Sequence, residues 1–102
     1  MANVTYHLRA RDEESIQAWE KFFGHIPEVK PSLGDILEFP ADAIVSPANS
    51  FGFMDGGIDR LYSEYFGWHV QDRLRALLRD DYDGELPIGL AVIIETDHPD
   101  IP

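Results

Sequence analysis

The sequence contains no cysteine, and this one absence removes disulfides, thiolate catalysis and cysteine-based zinc sites together. It is nearly as poor in lysine: only Lys21 and Lys30 occur, and the arginines are scattered. Nineteen acidic residues against eight basic ones give a formal net charge of −11. Binding to a nucleic-acid polymer depends on lysine and arginine clusters that neutralise phosphates, so that class is excluded. The same deficit argues against an anionic membrane surface. No apolar run approaches the roughly 20 residues that a bilayer-crossing helix needs. Met1 to Tyr6 lacks the charged and apolar regions of a secretory signal, so a cytoplasmic location is expected. Neither G-x-x-x-x-G-K-[ST] nor G-x-G-x-x-G occurs, and Ser50 does not sit in G-x-S-x-G, which removes the usual nucleotide and serine-hydrolase fingerprints.

What the chain does have is apolar material. Hydrophobic residues make up 44% of its 102 positions, enough for one small packed domain spanning residues 1–102. Val4, Tyr6 and Leu8 alternate with polar residues and predict a strand with one buried face. Asp12 is placed to cap a helix whose first turn holds Glu13 and Glu14, whose apolar face is Ile16, Trp19 and Phe23, and whose stop is Gly24. An extended piece follows from Glu28 to Leu33, with Pro31 pointing to an edge strand. Ala43-Ile44-Val45 and Gly89 to Glu95 read as short strands buried on both faces. Between them, Ile58, Leu61, Tyr62, Tyr65 and Phe66 define one amphipathic helix, and Val70, Leu74, Leu77 and Leu78 a second. Strands alternating with helices predict an α/β sheet with helices packed on it.

The segment from Gly34 to Gly67 carries the chemistry. It reads as a strand, a long loop of small residues from Pro47 to Gly57, and then a helix. That order delivers free backbone N–H groups to the carboxyl end of a strand, where ligands of open α/β sheets bind. A helix start can hold a pyrophosphate without any cationic side chain, and glycine lets the backbone come close.

Gly34-Asp35-Ile36, Asp42-Ala43-Ile44-Val45-Ser46-Pro47-Ala48-Asn49-Ser50 and Gly56-Gly57-Ile58-Asp59 resemble, in order and spacing, the signature of the macro domain family, a group of ADP-ribose-binding modules. The resemblance implies a three-layer α/β/α fold with a mixed sheet, of which this sequence is the N-terminal part. The family's second glycine-rich loop and last strands have no counterpart after Glu95. It further implies that Asp35 accepts from the adenine amino group and Ile36 adds a backbone contact. Asn49 would hydrogen-bond the distal ribose, and Gly56, Gly57 and Ile58 would wrap the pyrophosphate and that ribose through their N–H groups. Asp59 matches the acidic position that orients or activates water in hydrolytic members.

Three residues depart from the pattern: Ser46 replaces a frequent asparagine, Asp55 the first of three glycines, and Arg60 a small residue. A carboxylate at Asp55 is placed to cap the helix that would bind phosphate. The expected partner is ADP-ribose, free or on a protein, with no metal and no cofactor. The alternatives are an ADP-ribosyl hydrolase using Asn49 and Asp59, and an inactive fragment that forms homo-oligomers through an exposed sheet edge. Asp97, His98 and Asp100 read as a turn and not as a metal site, and Tyr62, Tyr65 and Phe66 as core.

Overall fold

The computed structural model describes residues 3–102 and divides into two compact units, Met1–Phe39 and Pro40–Pro102. Among these residues the fold is a small mixed α/β arrangement with three α-helices and a two-stranded parallel sheet.

The first unit is a strand–helix–strand crossover. Strand β1 (Tyr6–Ala10) pairs in parallel with β2 (Val29–Leu33), Tyr6 opposite Val29 and Ala10 opposite Leu33. Helix α1 (Glu13–Phe23) joins them and begins where Asp12 accepts a hydrogen bond from the Ser15 N–H at 2.9 Å. Its first turn holds Glu13 and Glu14, and its last holds Lys21, each where the helix dipole favours that charge. Tyr6, Leu8, Trp19, Phe23 and Val29 surround an open apolar groove of about 280 Å³. Pro31 is accommodated within β2, opposite Leu8. A single 3-10 turn, Ile36–Glu38, follows β2.

The second unit is built on α2 (Gly57–Phe66) and α3 (His69–Tyr82), separated by Gly67. Its core is Met54, Tyr62, Val70, Leu74, Leu78 and Ile101. Val70, Leu74 and Leu78 lie at i, i+4 and i+8, so the sequence periodicity of α3 is the packed stripe.

Helix α2 is set in a different phase from the one its apolar residues suggest. Asp59, Tyr62 and Ser63 are its buried residues, whereas Ile58, Leu61 and Tyr65 are exposed. The physical reason lies in the loop before it. Tyr62 Oη donates to the Val45 carbonyl at 3.2 Å and Ser63 Oγ to the Met54 carbonyl at 2.7 Å. Ser63 turns inward to donate to the carbonyl of the buried Met54, and Asp59 turns inward to accept from the Ser46 hydroxyl.

Two further expectations are corrected. Neither Ala43-Ile44-Val45 nor Gly89 to Glu95 is a strand. Val45 is 85% exposed and Ile93 88%, and neither segment pairs with another strand among the described residues. An apolar run records a demand for burial, but a strand exists only where a neighbour completes its ladder. The chain from Glu95 to Pro102 is instead a tight hydrogen-bonded turn. Thr96 N–H donates to the Pro102 carbonyl at 2.9 Å, and the Thr96 hydroxyl donates to the carbonyl of the buried Ile101. Arg73 of α3 fastens this turn by donating to the Glu95 carbonyl at 2.8 Å and to Asp97 at 2.6 Å. No helix among the described residues is long and apolar enough to cross a membrane.

Candidate functional site

The residues singled out by the sequence fall in both units: Asp35 and Ile36 in the first, Asn49, Gly56, Gly57, Ile58 and Asp59 in the second. In the first unit, Asp35 caps the 3-10 turn. Its Oδ1 accepts from the Leu37 N–H at 2.9 Å, its Oδ2 is paired with Arg11, and its carbonyl accepts from Arg9 Nε at 3.1 Å. The Leu37 N–H, and after it the Arg11 guanidinium, holds the Asp35 carboxyl below the usual carboxylate range. Ile36 opens the turn and is half-buried. Asp35 therefore performs the local turn work that its sequence position permits, with both oxygens already engaged.

In the second unit, Asn49 organises the loop. Its Oδ1 accepts from the N–H groups of Phe51 at 3.0 Å and Phe53 at 3.2 Å, an Asx turn that curls the chain over itself. Because both partners are donors, the amide orientation follows, and Nδ2 remains as the group with two protons to give. The same loop is pinned at several other points. Met54 N–H donates to Gln71 Oε1 of α3 at 2.7 Å, and Leu86 N–H donates to the Ser50 carbonyl at 2.8 Å. Gly52, at φ +82°, fits beneath Leu74, Arg75 and Leu78. Arg75 stacks on the Phe53 ring, 4.1 Å from its centre.

This pinned loop delivers the chain to the start of α2. Gly56 is the N-cap, in extended conformation, and no side chain caps the helix. Asp55 is exposed and makes no hydrogen bond to these N–H groups, so the competition suggested by its sequence position does not arise here. Gly57 begins the helix at φ +57°, a left-handed conformation that side chains resist. A Cβ on either Gly56 or Gly57 would meet no heavy atom within 4 Å. The first N–H groups of α2 thus sit behind bare backbone, with the positive end of the helix dipole and no protein acceptor on them. Arg60, next to this turn, pairs along the helix with Glu64 at 3.1 Å.

Asp59 lies in the first turn of α2 and is only 5% exposed. Its Oδ1 accepts from the Ser46 hydroxyl, and Ser46 Oγ in turn accepts from the Ala48 N–H at 3.2 Å. Tyr62 lies close enough to Asp59 that the carboxylate adds to the effect of burial in pushing the phenol's pKa up. In the sequence Ser46 stands out only as a departure from the pattern, and the supporting roles of Tyr62, Ser63 and Gln71 emerge only in the structure. A signal was present: Asp59, Tyr62 and Ser63 stand at i, i+3 and i+4, so three polar or part-polar side chains share one helix face.

Asp97, His98 and Asp100 serve the terminal turn. Asp97 pairs with Arg73, His98 Nδ1 accepts from the Asp100 N–H at 3.2 Å, and the His98 ring packs on Tyr65 and Phe66. Searches of protein-family models, of curated proteins and of solved structures find no match to this chain.

Proposed function

We propose that the chain binds ADP-ribose, free or attached to a protein, through the loop and helix start formed by residues 46–59, within a three-layer fold of the macro domain type. The observation that carries the reading is the start of α2, which no side chain caps and which Gly56 and Gly57 leave bare. Free N–H groups on a helix dipole bind phosphate oxygens. Gly56, Gly57 and Ile58 then donate to the pyrophosphate, and Asn49 gives its free Nδ2 protons to the distal ribose. The Asn49 contact is a donation, because its oxygen is committed to the loop.

A second reading, hydrolysis of ADP-ribose from a modified protein, is favoured by Asp59 specifically. It is a nearly buried carboxylate with one oxygen engaged by Ser46, in the first turn of the helix that holds the phosphates. A general base needs a water within hydrogen-bond reach of the bond it cleaves, and Asp59 would hold that water.

Calorimetric titration of ADP-ribose into the 102-residue chain, with AMP as control, tests the binding reading. Saturable heat with ADP-ribose and none with AMP is expected. A folded sample that gives no heat with either would sink it. Release of free ADP-ribose from a modified protein, abolished in Asp59→Asn while binding is retained, would establish the second reading.

A further inference from the structure

The first unit has a surface of its own, set by how its two strands pair. The Tyr6 N–H donates to the Glu28 carbonyl at 2.7 Å, and the Gly34 N–H to the Ala10 carbonyl at 2.8 Å. These bonds fix the phase of the parallel ladder, in which successive residues turn their backbone groups to opposite sides. Tyr6, Leu8 and Ala10 therefore face β2, while His7 and Arg9 turn their N–H and C=O groups outward. Across the sheet, Val29, Pro31 and Leu33 turn outward from β2. The two free edges are unequal. Pro31 has no N–H to give in the middle of the β2 edge, which blunts it, whereas the β1 edge offers both groups of His7 and of Arg9. Among the described residues no third strand pairs with either edge.

The side chains beside the open edge divide by face. Tyr6, Leu8 and Val29 line the open apolar groove together with Trp19 and Phe23 of α1. His7 and Arg9 alternate onto the opposite face. There both lie against the Phe39 ring, whose centre is 4.6 Å from that of His7 and 4.9 Å from Arg9 Cζ. Lys30 stands opposite His7 in the register, and Ser32 opposite Arg9. Arg9 is half-buried and donates to neutral acceptors, the Ser32 hydroxyl at 3.3 Å and the Asp35 carbonyl at 3.1 Å. Neither Arg9 nor Lys30 pairs with a carboxylate among the described residues, whereas Arg11, just past the strand, is neutralised by Asp35. In a chain of net charge −11, two unpaired cations thus share one face beside an open strand edge.

We infer that the outer edge of β1 docks an extended segment of a partner protein in which acidic and apolar residues alternate. The segment's backbone extends the sheet through His7 and Arg9. Its acidic side chains fall on the face of Arg9 and Lys30, and its apolar ones on the opposite face, beside Tyr6 and Leu8. A second copy of this chain does not fit the edge. Antiparallel pairing of β1 with itself gathers Arg9 and Lys30 of both copies on one face, and like charges across a strand pair destabilise it. The inference stands apart from the ADP-ribose reading, since it uses residues of the first unit only.

The test is titration of a fluorescein-labelled peptide of alternating glutamate and valine into the 102-residue chain, followed by fluorescence anisotropy, with amide exchange measured by NMR. Saturable binding is expected, with exchange slowed at His7 and Arg9 and not at Val29 or Leu33. Lys30→Glu, at an exposed position, should keep the melting temperature and weaken the peptide about tenfold. The same variant should bind better a peptide with lysine in place of glutamate. Methylating the peptide's amide nitrogens removes the donors of an added strand and should abolish binding to the unaltered chain. A wild type that does not bind the glutamate peptide, or binds the lysine peptide equally well, overturns the inference. So does a methylated peptide that still binds, which would make the contact one of charge without an added strand. Protection at Val29 and Leu33 in place of His7 and Arg9, or equal displacement of the peptide by inorganic polyphosphate, also overturns it.

Discussion

Gly57 and Gly56 stand side by side and should respond to the same substitution in opposite ways. Gly57 sits at φ +57°, where a Cβ meets the backbone of its own residue even though the space around it is open. Gly57→Ala is expected to cost about 1–2 kcal/mol in a thermal or urea melt. Gly56 is extended, at φ −140° and ψ 158°, and its surroundings are equally open. Gly56→Ala should therefore leave the melting temperature unchanged and, under the proposed reading, weaken ADP-ribose, because the added methyl would enter the space assigned to the phosphate. A Gly56→Ala protein that binds as tightly as the wild type would place the phosphate elsewhere. At Asp35 the residue scale also fixes a pH dependence. The Leu37 N–H and Arg11 lower its folded pKa, so its stabilising contribution is present above the unfolded value of about 3.9 and is lost as pH falls through the folded one. In Arg11→Ala, the carboxyl titration followed by NMR should move part of the way back up. The larger cause, the Leu37 hydrogen bond, remains in that variant.

At the scale of elements, α2 is held both by the buried Tyr62 ring and by hydrogen bonds to the loop. Tyr62→Phe keeps the ring in the core and removes the donor to the Val45 carbonyl. The expected loss is about 1 kcal/mol of stability, with a smaller effect if water reaches the freed carbonyl. Leu78→Ala in α3, where Leu78 is 1% exposed, should cost about 2–5 kcal/mol, and chemical denaturation separates the two cases. The α1 cap at Asp12, the stripe of α3 and the βαβ order could be read in the sequence because each depends on local chemistry or on a period carried by its own residues. The phase of α2 could not, because it follows hydrogen bonds of Asp59 and Ser63 to Ser46 and Met54 of the preceding loop, which the helix's own residues do not announce. Ala43–Val45 and Gly89–Glu95 misled for a related reason, since their composition asks for neighbours without saying whether there are any. For the candidate site, the glycines and Asp59 were legible as a pattern. That Asn49 spends its oxygen on its own loop, and that Ser46 holds Asp59, were visible only once the loop had a shape.

At the scale of the whole molecule, charge decides how a phosphate ligand arrives. The chain carries a formal −11, and ADP-ribose is itself an anion, so under the proposed reading the long-range term opposes association and binding comes from short-range N–H donors. Screening then has the opposite sign to that of a nucleic-acid binder. Between about 0.01 M and 0.15 M salt the Debye length shrinks from roughly 30 Å to 8 Å, and the repulsion is largely removed. ADP-ribose affinity should rise by a few-fold over that range, on the order of threefold, with the gain in the association rate. Stopped-flow binding at a series of salt concentrations gives both numbers. An affinity that falls with salt would mean that lysines and arginines, and not bare backbone at the start of α2, neutralise the phosphates, because counterion release is what produces that slope.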